Sequence, residues 1–193
     1  MLLSGTFDQT VTTPVDLTSV GAIDWGRFLN GSTDSKATGS GLITFTQVGS
    51  GGFTVGGSVA FTWSDGTPNA TGSSTSVTGF FGAVNEGWSV SLPADGNIRT
   101  CTVYCEMFFG GTATMTAHLS GAGAPADVSH VFTGADFEDV CNGNFTYQAA
   151  PGETLTITFL NTTSSFLTMP AVAVLTSTPP VASARPIFFG AGV

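Results

Sequence analysis

The sequence predicts an all-β protein, and three observations carry that reading. Strand formers alternate with polar residues at a period of two along most of the chain, and no stretch follows the 3.6-residue period of an amphipathic helix. The alternating runs are short, and clusters of Gly, Pro, Asn and Asp bound them. Thr and Ser fill the polar positions, so only 9% of residues are charged, beside 26 Gly and 16 Phe. Short strands at this spacing in a chain of 193 residues fit one antiparallel β-sandwich, most simply a jelly roll.

Met1–Pro14 stands outside the alternation and reads as an N-terminal arm, with Phe7 as its apolar docking residue. The sandwich then spans residues 15–177. Ser32–Gly41 reads as a small polar loop, and Gly41–Val48 and Ser58–Trp63 as strands. Ser64-Asp65-Gly66-Thr67-Pro68 is a tight turn, with Gly available for positive φ. Strands follow at Trp88–Leu92, Thr100–Phe109 and Thr112–Leu119, the first closed by the turn Ala94–Asn97. Further strands are expected at Ser129–Phe132, Asn144–Gln148, Thr154–Leu160 and Met169–Leu175, with a turn at Ala150–Glu153. Alternation puts Cys101, Val103, Cys105, Met107 and Phe109 on one face and Thr102, Tyr104, Glu106 and Phe108 on the other. Likewise Leu155, Ile157 and Phe159 oppose a Thr stripe at 154, 156 and 158, which marks a solvent or partner face. Ser177-Thr178-Pro179-Pro180 breaks the last strand, and residues 178–193 form a tail carrying Ile187, Phe188 and Phe189. That apolar triplet needs a surface to pack on, its own sandwich or a neighbour.

Charge bounds the partners. Thirteen acidic residues against four basic ones give a net charge of −9. Phosphate binding rests on Lys and Arg clusters, so nucleic acid and anionic membrane surfaces are not expected partners. Continuous apolar runs stay below the ~18 residues of a spanning helix. With Tyr 2 and Trp 3, aromatic belts of an outer-membrane barrel are not expected either. The start Met1-Leu2-Leu3-Ser4-Gly5-Thr6 lacks the basic and long apolar regions of a signal peptide, so standard secretion is disfavoured.

The chemistry-bearing residues are few. No nucleophile elbow, Walker loop or His-Glu-x-x-His motif occurs, and His118 and His130 sit within strand patterns, so no enzyme activity is expected. Asp136, Glu138 and Asp139 cluster closely enough to supply oxygen ligands to a structural calcium ion; otherwise no cofactor is expected. Trp25, next to Asp24, and Trp88, at the start of a strand, are the candidates for a sugar-stacking platform. Cys101 and Cys105 lie on one strand with α-carbons about 13 Å apart, too far to bridge. Cys141 can pair with either, or all three can be buried thiols.

Asp24-Trp25, Phe61-Thr62-Trp63-Ser64-Asp65-Gly66-Thr67-Pro68, Gly87-Trp88-Ser89-Val90, Pro93-Ala94-Asp95, Arg99-Thr100 and Val103-Tyr104 follow one another along the chain. With these, Val15–Ser177 resembles a galactose-binding-like jelly-roll module of bacterial surface and secreted proteins and of phage virion proteins. The resemblance implies a sandwich fold and carbohydrate binding as an appended domain. The two arms, and the lack of an accompanying catalytic domain, shift the expectation toward a non-enzymatic structural protein of a phage virion. Such a capsid decoration would assemble with itself and other virion proteins through its arms, at the virion surface. The alternatives are a carbohydrate-binding module at a cell surface or outside the cell, with host glycans as ligand, and the subunit of a self-assembling filament.

Overall fold

The computed structural model describes residues 1–11, 13–29, 32–50, 52–163, 165–169 and 174–177. The expected tail, with Ile187, Phe188 and Phe189, lies outside the described residues. The described chain is all-β apart from one four-residue helix. In order, its elements are β1 (Leu2–Asp8), β2 (Val15–Asp16), α1 (Leu17–Val20), β3 (Asp24–Leu29), β4 (Ser32–Lys36), β5 (Thr44–Val48), β6 (Gly52–Trp63), β7 (Gly66–Thr67) and β8 (Gly72–Gly82). There follow β9 (Gly87–Pro93), β10 (Arg99–Phe108), β11 (Gly111–Leu119), β12 (Val128–Gly134), β13 (Glu138–Gln148), β14 (Thr154–Asn161), β15 (Ser165–Met169) and β16 (Val174–Ser177). Among the described residues no helix is long and apolar enough to cross a membrane.

Two sheets form. The smaller is antiparallel with strand order β12-β11-β14-β9-β5. Its alternation behaves as the sequence predicts: Leu155, Ile157 and Phe159 are fully buried, and the Thr residues between them are not. The larger sheet centres on β10. One edge of β10 pairs with β13 along its whole length, and β13 pairs in turn with β1. Its other edge is shared by β15, opposite Glu106–Phe108, and β16, opposite Arg99–Thr102. Beyond β10 the sheet divides into two wings, β15-β8-β6-β2 and β16-β3-β4-β7.

This division makes two cores, one on each side of β10. The larger takes Cys101, Val103, Cys105 and Met107 from β10 together with Trp88, Met115, Ile157 and Phe159 from the five-stranded sheet. The smaller lies on the other side, where Tyr104 meets Phe61 and Trp63 of one wing, Trp25 of the other, and Leu17 of α1. The face containing Thr102, Tyr104, Glu106 and Phe108 is therefore largely covered, and an isolated strand pattern does not reveal that cover. Glu106 is fully buried there and accepts a hydrogen bond from the Val59 N–H at 3.0 Å. Val59 falls within the register shift between Gly56 and Phe61, so a buried carboxylate satisfies an amide that the bulge removes from the ladder.

Two stretches expected to lie outside the sheets are strands. β1 runs antiparallel to β13 in an unbroken register from Leu2↔Gln148 to Asp8↔Asn142. Half of the arm, Leu2–Asp8, is thus part of the chain's own sheet. The polar segment Ser32–Lys36 is β4, bonded to β3 and β7, and only the residues after it turn.

Candidate functional site

The candidate ligand residues Asp24, Trp25 and Trp88 are packed inside the fold. Trp25 and Trp88 are both 0% exposed. Trp25 packs 6.0 Å from Trp63, and Trp88 stacks at 4.8 Å on Phe45. A sugar platform needs an open ring face, which neither indole offers. Asp24 is buried as well: its carboxylate accepts from the Trp25 N–H at 2.9 Å and from the Ser40 N–H at 2.8 Å, which pins the turn after β4. A Cβ at Gly39 would fall 2.0 Å from Asp24 Oδ1, so the turn closes on the acid without room for a side chain.

A polar lattice surrounds the smaller core. Arg27 Nη1 meets Asp34 Oδ2 at 2.5 Å with both side chains almost fully buried, and the guanidinium lies 5.1 Å from the Trp63 ring. Asp34 also accepts from Asn69 Nδ2 at 2.7 Å. Asp65, in the turn after β6, accepts from Trp25 Nε1 at 2.9 Å, from Thr18 Oγ1 at 2.8 Å and from Lys36 Nζ. Burial pushes the Asp65 carboxyl up, but these donors outweigh it and hold the group below its ordinary value. Arg99 pairs with Asp95, and that hydrogen bond draws Asp95 down. All three cations among the described residues are therefore engaged in ion pairs within the chain. The fourth Lys or Arg of the sequence is Arg185, in the tail.

The residues expected as calcium ligands lie in and beside the turn between β12 and β13. Asp139 Oδ2 accepts from the Ala135 and Asp136 N–H groups at 3.0 and 3.1 Å, which orders the turn between β12 and β13. Among the described residues no group of three or more His, Cys, Asp or Glu side chains gathers as a metal site would. Phe7 stacks on His130 at 4.9 Å and meets Phe132 and Phe145 edge-on, so β1 binds its own domain through this ring. His118 Nδ1 lies 2.7 Å from Asp127 Oδ1 near the exposed end of β11. The three cysteines are buried free thiols. Cys141 stands opposite Cys105 in the β10–β13 register, and not opposite Cys101. Burial, with Asp139 and Glu106 adding, pushes the Cys141 thiol up to about 12.

Three further surfaces stand out among the described residues, and only the first, through the Thr stripe of β14, is legible in the sequence. The first is the outward face of the five-stranded sheet. There Ser129, Thr116, Thr158, Ser89 and Thr46 stand in register, one from each strand. The second is a pair of adjoining hollows of about 330 and 340 Å3 over β10 and β13, the first bounded by β1 and the other by β2 and α1. They share Thr102 and Asn144, whose side chains bond each other at 2.6 Å, and Asp16 is their one charged lining residue.

The third is an aromatic tip. It joins the turn after β10 to the turn before β13, with the Phe109 N–H donating to the Phe137 carbonyl at 2.9 Å and the Gly110 N–H to that of Asp136 at 3.2 Å. Phe109 and Phe137 are 62% and 66% exposed and meet edge-on at 4.8 Å, while Phe108 beneath them is buried. Phe109 holds φ at +64°, a left-handed conformation that an aromatic residue seldom adopts. The braced turns thus hold two large apolar rings outward beside the Asp136 carboxylate. No family model, no curated protein and no solved structure matches this chain.

Proposed function

We propose that the protein is a non-enzymatic structural component of a phage virion, a decoration protein of the capsid surface. In this reading the two sheets form a jelly-roll sandwich, the body faces outward, and the apolar tail joins it to neighbouring copies and other virion proteins. The observation that supports it is the disposition of charge. Three cations are engaged in intramolecular ion pairs, and the small sheet turns in-register Ser and Thr hydroxyls outward. Such a body provides contact area and little ionic chemistry. The tail adds Ile187, Phe188 and Phe189, apolar side chains worth about 25 cal/mol per Å2 buried before ordering costs.

Light scattering on the full chain and on the Ile187→Ser/Phe188→Ser/Phe189→Ser variant tests this. Assembly by the full chain and a monomeric mass for the variant are expected. A variant that assembles as the full chain does, or a full chain that stays monomeric, would sink the reading.

A second reading, carbohydrate binding, draws on the hollows at Thr102 and Asn144, since hydroxyl and amide side chains match the hydrogen-bonding groups of a sugar. Calorimetric titration with a panel of oligosaccharides should show binding by the native chain and its loss in Asn144→Ala. Heats that are equal in the two proteins would exclude this groove as the site.

A further inference from the structure

The aromatic tip and the point where the chain leaves the sheet lie at opposite ends of β10. Ser177, the last described residue, sits opposite Arg99 at the start of β10, whereas Phe109 follows its end. The ten residues between Arg99 and Phe109 span about 33 Å of strand. The ten from Ser177 to Ile187 include Pro179, Pro180 and Pro186 and reach about 31–36 Å if fully straight. To bring Ile187 to its own tip, the segment from Ser177 would have to run back almost fully straight along its own sheet. A neighbour's tip imposes no such demand.

The two ends also match in chemistry. The tip offers Phe109 and Phe137 beside the exposed Asp136. The tail offers Ile187, Phe188 and Phe189 two residues beyond Arg185, the one Lys or Arg of residues 178–193. Apolar side chains meeting at the centre, with opposite charges at the margin, is the arrangement of an interface whose affinity lies in a few anchors. We propose that the tail of one copy docks on the Phe109–Phe137 tip of another, with Arg185 facing Asp136. The proposal rests on the tail-mediated assembly above and names the surface that receives the tail. A contact between unlike ends builds a reciprocal exchange between two copies, a larger ring or an open array, according to the rotation between neighbours.

The probe is a fluorescent synthetic peptide of residues 181–193, and fluorescence anisotropy is the readout. The acceptor is the full chain carrying Ile187→Ser/Phe188→Ser/Phe189→Ser, so that its own tail does not compete. Adding Phe109→Gly and Phe137→Ser to the acceptor should weaken binding by about tenfold or more. Both positions are exposed and glycine suits the φ at 109, so the fold is kept; an unchanged near-ultraviolet spectrum checks this. Asp136→Asn should weaken binding several-fold and flatten its salt dependence. Equal binding to the native and altered tips, or no binding up to about 1 mM peptide, overturns the proposal. In light scattering, a tip variant of the full chain that still assembles while the tail variant does not would overturn the docking surface and leave tail-mediated assembly standing. Tip-dependent peptide binding by a chain that stays monomeric would overturn docking between copies together with the assembly reading, and would leave the tip as a surface that the tail meets within one chain.

Discussion

Asp65 joins three parts of the chain that are distant in sequence. Its two oxygens receive Thr18, Trp25 and Lys36, so one carboxylate fastens α1, β3 and β4 to the turn after β6. Its folded-state value is depressed. The stabilisation is therefore present above the unfolded carboxyl value, near 3.9, and is lost as pH falls through the lower folded value. Asp65→Asn should cost about 1–2 kcal/mol at neutral pH, the partial exposure of the site keeping the figure modest. It should also flatten the loss of stability below about pH 4. Thermal melts at neutral pH and near pH 3 check both, and a variant that melts like the native chain at each would show that the lattice is not anchored here. The residues of this lattice were visible in the sequence as Asp24-Trp25 and the Trp63–Asp65 turn, but their purpose was not. Trp25 looked like a ligand platform because its cover comes from Leu17, Phe61 and Trp63 on other elements. Local spacing cannot show what folds over a side chain.

At the level of elements, strands with a clean buried face were legible and strands held by pairing alone were not. β14 alternates buried Leu155, Ile157 and Phe159 with Thr, and β11 alternates Ala113, Met115 and Ala117 in the same way. Ser32-Thr33-Asp34-Ser35-Lys36 has no apolar alternation, yet it is a strand, because β3 and β7 bond its backbone and Arg27 holds Asp34. β1 was hidden by Ser4 and Gly5 in the middle of the run. Gly5 is required there, since an added Cβ would meet the Phe145 ring at 2.8 Å. Gly5→Val should therefore lift β1 from β13 at a cost of about 1–3 kcal/mol and increase amide exchange over Leu3–Phe7. Unchanged protection of those amides would mean that Phe145 yields without strain. The same crowding explains why Phe7 serves the body: a strand seated this closely places its ring on His130, Phe132 and Phe145.

For the whole molecule, the sequence conveyed the all-β class and the scarcity of cations, but not the division of the large sheet into wings or the second core that results. That core depends on β15 and β16 sharing one edge of β10, a long-range pairing with no local signature. The tip was equally hidden, because Phe109 and Phe137 come together only through the hydrogen bonds between their turns. The confinement of the cations has a further consequence, for survival among digestive enzymes. Trypsin needs an extended, accessible Lys or Arg. Arg27, Lys36 and Arg99 show only 3%, 10% and 16% of their side chains, each gripped by a carboxylate. Arg185 is followed by Pro186, a bond that trypsin passes over. Cutting the body at its three cations thus requires a strand to open first, which ties the chain's lifetime in a trypsin-rich fluid to its unfolding equilibrium and not to its surface chemistry.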